Sequence, residues 1–153
     1  MSNMSKKTET NTLILLLHQI LNTMDVNKLI AKLQEIKEPE FKNIIDYILK
    51  TTSGKFSVSE NDIRFSMKRG VISDAKKVTI ILLKIHLPMS EVQIGRFFGG
   101  KTRQAIEYSI KEIKRLNPDS KNKYEKELYD KYNELNTEVQ KFKNKLLSQN
   151  KIK

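Results

Sequence analysis

The stretch from Ile94 to Leu116, IGRFFGGKTRQAIEYSIKEIKRL, closes one short helix, turns through two adjacent glycines and opens a second, basic helix. Two helices joined so tightly can meet only at a restricted angle, which is the pattern of a helix-turn-helix. Ser90 is placed to cap the first helix, and Val92, Ile94, Phe97 and Phe98 give it a buried side. Gly99 and Gly100 admit positive φ and a close approach of backbone to backbone. Thr102 is the expected N-cap of the second helix, where Ala105, Ile106, Ile110 and Ile113 recur at spacings of three and four and form an inward stripe. Lys101, Arg103, Gln104, Glu107, Tyr108 and Lys111 are left outward. A helix that begins with Lys, Thr, Arg and Gln reaches phosphates and base edges when its N-terminus enters a major groove.

The rest of the chain reads as helices of matching scale. Thr12 to Met24 and Val26 to Ile36 predict two short amphipathic helices. Pro39 suits the first turn of a third helix that runs to about Lys50, with Thr51-Thr52-Ser53-Gly54 expected to end it. Ser59 predicts the cap of a one- or two-turn helix ending near Phe65, followed by the basic loop Met67-Lys68-Arg69-Gly70-Val71. Ser73-Asp74 is the expected cap of the next helix. Its Ala75, Val78, Ile80, Ile81, Leu82, Leu83 and Ile85 are apolar nearly all round and place it at the centre of the domain. Leu87-Pro88 ends it. Asn117-Pro118-Asp119-Ser120 then breaks the basic helix and starts a last one, whose Leu128, Tyr132, Leu135, Val139, Phe142 and Leu146 make a heptad seam. With no segment of strand period, the expected class is all-α: a compact helical domain containing a helix-turn-helix, with helical extensions at both ends.

Charge is concentrated where that motif lies. The 153 residues carry a net charge of +11. Residues 1–63 balance eight Lys against eight acidic residues, whereas residues 64–115 hold twelve Lys or Arg against four acidic residues. Such focusing suits a polyanion, although a solvated lysine-rich face gives the same count. With no cysteine, disulfide and thiolate chemistry are excluded. The apolar run at Leu13–Leu17 and Ile20–Leu21 is too short to span a bilayer, so the expectation is a cytoplasmic protein without a membrane partner. His18 and His86 stand alone, no carboxylate pair is marked out, and Ser53-Gly54-Lys55 lacks the glycines of a phosphate-binding loop. No catalytic residue, metal ligand, cofactor or nucleotide site is therefore expected, and the chain reads as a non-enzyme.

The segment from Ile72 to Leu116, with FSVSENDIRFSMKRG before it, resembles the C-terminal DNA-binding domain of the bacterial replication initiator DnaA. The resemblance covers residues 38–135 and divides the chain into an N-terminal extension, 1–37, that domain, and a C-terminal extension, 136–153. It implies the fold and duplex-DNA binding, without the ATPase module that precedes the domain in the family. Where the family signature reads G-G-R-D-H-[ST]-T-V, this chain has Gly99, Gly100, Lys101, Thr102, Arg103, Gln104, Ala105 and Ile106. The glycines, the basic residue and the aliphatic agree; the three base-reading positions differ, so a different DNA preference is expected.

Arg103 and Gln104 are the candidates for base contacts, since Arg can take guanine and Gln adenine by two hydrogen bonds. Thr102 and Tyr108 stand second to them, and Lys101 and Lys111 fall to phosphates. The resemblance adds Lys68 and Arg69, on the loop that in the family reaches the adjacent minor groove, and Lys76 and Lys77, which it places near phosphates. Replication, its regulation and control of transcription remain open as roles, and a solitary domain of this kind suits a phage or mobile element. The rival class is a structural or interaction protein that reuses the fold to bind protein. Leu13–Met24 and Leu128–Leu146 are the apolar faces that would serve a homodimer or a protein partner.

Overall fold

The computed structural model describes residues 38–151, so the two helices read before Glu38, with Leu13–Met24, lie outside the described residues. Six helices follow in order: α1 (Glu38–Phe56), α2 (Glu60–Phe65), α3 (Val71–His86), α4 (Glu91–Phe97), α5 (Arg103–Lys114) and α6 (Lys123–Lys151). No strand occurs among the described residues. None of these helices is long and apolar enough to cross a membrane.

The expectation for α3 is met at its centre: Ala75, Val78, Ile80, Ile81, Leu82 and Leu83 are all buried. Around it pack α2, α4, α5 and α6. Ile85 is the exception at 47% exposed. It lies on the outer side of the last turn, whose inner side is still covered by α6 at the buried His86. The helix also starts earlier than the Ser73-Asp74 pair suggests. Gly70, at φ +82°, reverses the chain as N-cap, and the Asp74 N–H already donates to the Gly70 carbonyl at 3.0 Å.

The first helix overruns its expected stop. Thr51 to Phe56 stay helical because Thr52 and Phe56 are buried in the core, and that burial outweighs weak local preference. The end comes at Ser57, in the left-handed region at φ +55°. There the Val58 N–H reaches the Ser53 carbonyl at 3.1 Å and the Ser57 N–H the Gly54 carbonyl at 3.4 Å, the paired bonds of a Schellman cap.

The last helix lies along both α3 and α1. Tyr124 meets Asp74 and Asn136 meets His86, so α6 runs parallel to α3. Phe142 stacks on Tyr47 with ring centroids 4.0 Å apart, and Lys55 pairs with Glu134, so it runs antiparallel to α1. Its cap is Asn122, whose Oδ1 accepts from the Glu125 N–H at 3.1 Å, two residues after the Ser120 of the expected break. Leu128, Leu135 and Val139 are buried in the common core, with Tyr132, Phe142 and Leu146 packed against it. The seam offered for self-association is thus spent inside the domain. It continues without interruption past residue 135, where the C-terminal extension was expected to begin.

Candidate nucleic-acid interface

The motif read at residues 90–114 is built by local hydrogen bonds. The Ser90 hydroxyl accepts from the Gln93 N–H at 3.2 Å while the Gln93 carboxamide accepts from the Ser90 N–H at 2.9 Å, a reciprocal cap that starts α4. Gly99 and Gly100 follow the helix at φ +79° and +92°. Their turn lets the N–H groups of Gly100 and Lys101 both donate to the Gly95 carbonyl at 2.9 Å. Gly95 itself has no room for a side chain: a Cβ there would stand 2.1 Å from the Lys101 carbonyl oxygen. Of the expected buried side of α4, Ile94 and Phe98 are buried and Phe97 is partly so, but Val92, in the first turn, is 46% exposed.

Thr102 caps α5 as expected, its hydroxyl accepting from the Ala105 N–H at 3.1 Å. Ile106, Ile110 and Ile113 face the core, joined by Ser109, while Ala105 is only partly buried. The opposite face carries Arg103, Gln104, Tyr108 and Lys111, all exposed. Arg103 is held by Glu107 one turn on, Nε to Oε1 at 3.0 Å. This surface pair is weak. It fixes the guanidinium near the helix N-terminus and yields readily to a better acceptor.

Behind the motif, α2 supplies the support for the basic loop. Arg64 is not a free cation: its guanidinium lies 4.1 Å from the Phe97 ring centroid and 4.7 Å from that of Phe65, and its Nε donates to the Phe97 carbonyl at 3.1 Å. The side chain ties the end of α2 to the end of α4. Nothing in the sequence separated Arg64 from the loop cations that follow it. Past this anchor Met67, Lys68 and Arg69 are exposed.

Lys76, given a place near phosphates by the resemblance, is largely buried. It is 6% exposed, and its Nζ donates to the Ser66 carbonyl, so it braces the start of the basic loop. Burial, with Lys101 nearby, holds its pKa below the usual lysine value. The residue still lines a cleft of about 650 Å³ between the N-terminal ends of α3, α5 and α6. Arg69, Lys77, Lys101 and Tyr108 line the same cleft, so five of the ten expected site residues are brought together. Lys68, Thr102, Arg103, Gln104 and Lys111 lie outside it. The cleft also has walls that sequence reasoning missed: Ser73, Asp74, Ser109 and, from the last helix, Tyr124. Tyr124 stands 50 residues after Asp74, and no spacing rule links them. The residue is 60% exposed, but its hydroxyl donates to the Asp74 carboxylate at 2.6 Å. Burial of that end, and then the Asp74 carboxylate, push the phenol up to about 12.

A short capped helix, a two-glycine turn and a second helix with a cationic N-terminal face define the class: a helix-turn-helix domain. Residues 45–113 match the family described as bacterial dnaA protein helix-turn-helix, and the segment that builds the motif is similar to that domain. Proteins described as chromosomal replication initiator protein DnaA are similar to this chain. That of Rippkaea orientalis is 35% identical over 71 residues, which are 46% of this chain and 16% of the relative. Those of Borreliella afzelii and Borreliella burgdorferi strain B31 are 29% identical over 113 residues and 31% over 87. These cover 74% and 57% of this chain, and 22% and 18% of the relatives. The chain thus spans about a fifth of the length of the curated relatives it matches.

Proposed function

We propose that this chain binds duplex DNA, with the N-terminal half of α5 in the major groove and the Met67–Gly70 loop at the adjacent minor groove. The observation that carries this reading is the convergence of Arg69, Lys77 and Lys101, from three separate segments, on one cleft beside the exposed start of α5. Cations gathered from distant parts of a chain repel one another, and a polyanion offsets that repulsion. The cleft cations with Lys68 and Lys111 take phosphates and set the register. Arg103, Gln104 and Thr102 stand at the end of α5 that meets base edges, Thr102 with its acceptor already engaged in the cap. The match of residues 45–113 to the DnaA helix-turn-helix family supports a role in replication initiation or its control. The departures at residues 102–104 favour a site other than the family's DNA box.

The test is equilibrium binding to a random-sequence duplex across a salt series, followed by selection from a random library. The expected result is affinity that falls steeply with salt, as release of counterions from several phosphates requires. A log–log slope near zero would remove DNA binding as the function and leave the interaction-protein reading. Recovery of the family's box unchanged would refute the assignment of base readout to Thr102, Arg103 and Gln104.

A further inference from the structure

The cleft contains one acidic side chain, Asp74, among the cations that line it. The residue is 9% exposed and sits in the first turns of α3. On a helix surface the natural partner of an aspartate is a lysine three or four residues on, and Lys77 is three residues on, in the same cleft. The structure does not make that pair. Asp74 accepts instead from the Tyr124 hydroxyl at 2.6 Å and forms no ion pair among the described residues. A carboxylate free to swing to Lys77 or Arg69 would be an internal competitor for the DNA phosphate. Held by a neutral phenol on the opposite wall, it leaves those cations available.

We infer that α6 completes the phosphate-binding cleft, with Tyr124 acting as a positioning residue that keeps Asp74 off Lys77 and Arg69. Tyr124 lies outside the residues 45–113 that match the family. It makes no base contact in this scheme, and its effect is the same for every DNA sequence. Because the phenol stays protonated far above neutral pH, the arrangement holds throughout the physiological range. The inference rests on the proposed DNA binding, and its test separates the two.

Duplex affinity of the full chain is measured across a salt series for the unaltered protein, Tyr124→Phe, Asp74→Asn and the double variant. Tyr124→Phe keeps the ring and removes only the hydroxyl. It should weaken binding about threefold to tenfold, the scale of one mobile charge a few ångströms from a phosphate in a half-solvated cleft. It should also flatten the log–log salt slope by about one unit, since one fewer cation meets DNA. In the Asp74→Asn background the same change should do nothing, because no carboxylate is left to release. If Tyr124→Phe binds as the unaltered protein does, or costs as much affinity in the Asp74→Asn background as it does alone, the inference fails while DNA binding stands. If the unaltered protein shows no salt-dependent duplex binding, the DNA-binding reading fails and takes the inference with it.

Discussion

Gly95→Ala should be among the most damaging single-methyl additions available to this domain. In an ordinary helix the change is favourable by about 1 kcal/mol. Here the added Cβ would lie 2.1 Å from the Lys101 carbonyl oxygen and 3.2 Å from its carbon, against a floor near 3.0 Å for real Cβ contacts. The obstacle is backbone, so it cannot rotate aside, and relief requires the turn to move by roughly 1 Å, an overpacking cost of about 1–3 kcal/mol. The same shift strains the two bonds that Gly100 and Lys101 donate to the Gly95 carbonyl, each worth about 1 kcal/mol. Set against the gain in helix preference, the net loss is about 2–4 kcal/mol. For a domain of this size that lowers the melting temperature by on the order of 10 °C. Thermal unfolding followed by circular dichroism measures it, with Gly54→Ala as the paired control. Nothing lies within 4 Å of a Cβ at Gly54, so the same chemical change there should stabilise by about 0.5–1 kcal/mol. A Gly95→Ala protein as stable as the unaltered one would refute the close-approach account of the turn.

Two further outcomes are expected. Arg103→Ala should relax preference at one or two positions of the selected DNA site at a cost of about 1–3 kcal/mol, whereas charge reversal at Lys68 and Arg69 should weaken all sequences alike; both are read by competition binding against single-base variants of the site. His86 is held below the usual histidine pKa by burial, which its bond to Asn136 only partly offsets, and its Nδ1 has no partner among the described residues. The unfolded chain therefore takes up a proton, as pH falls below about 6.5, that the folded chain resists. Stability should be full above that pH, decline below it and level off beneath the folded-state pKa. Urea unfolding at several pH values should show a steeper decline than in His86→Gln, and parallel curves would refute it.

What the chain determined by itself are the features set within three or four residues. Ser59, Ser90 and Thr102 cap the helices that their positions predict, because a side-chain oxygen needs only the N–H groups of the next turn. The two-glycine turn was legible for the same reason, and the central place of α3 followed from its having almost no polar face. The features that tertiary structure decided each depend on a partner distant in sequence. Phe56 needs the core around it to carry α1 through the poor helix formers from Thr51 to Gly54. The α6 seam is a complete heptad pattern in isolation, and only the presence of Tyr47 and α3 directs it inward instead of to a second chain. Lysines have no intrinsic reason to differ, yet Lys76 is buried and donates to the Ser66 carbonyl while Lys77, its neighbour on the same cleft, is only partly buried. Asp74 and Tyr124 meet across 50 residues by the packing of α6 on α3. Local hydrogen bonds and periodicity are written in the order of residues, whereas a contact between distant residues exists only once burial has brought their helices together.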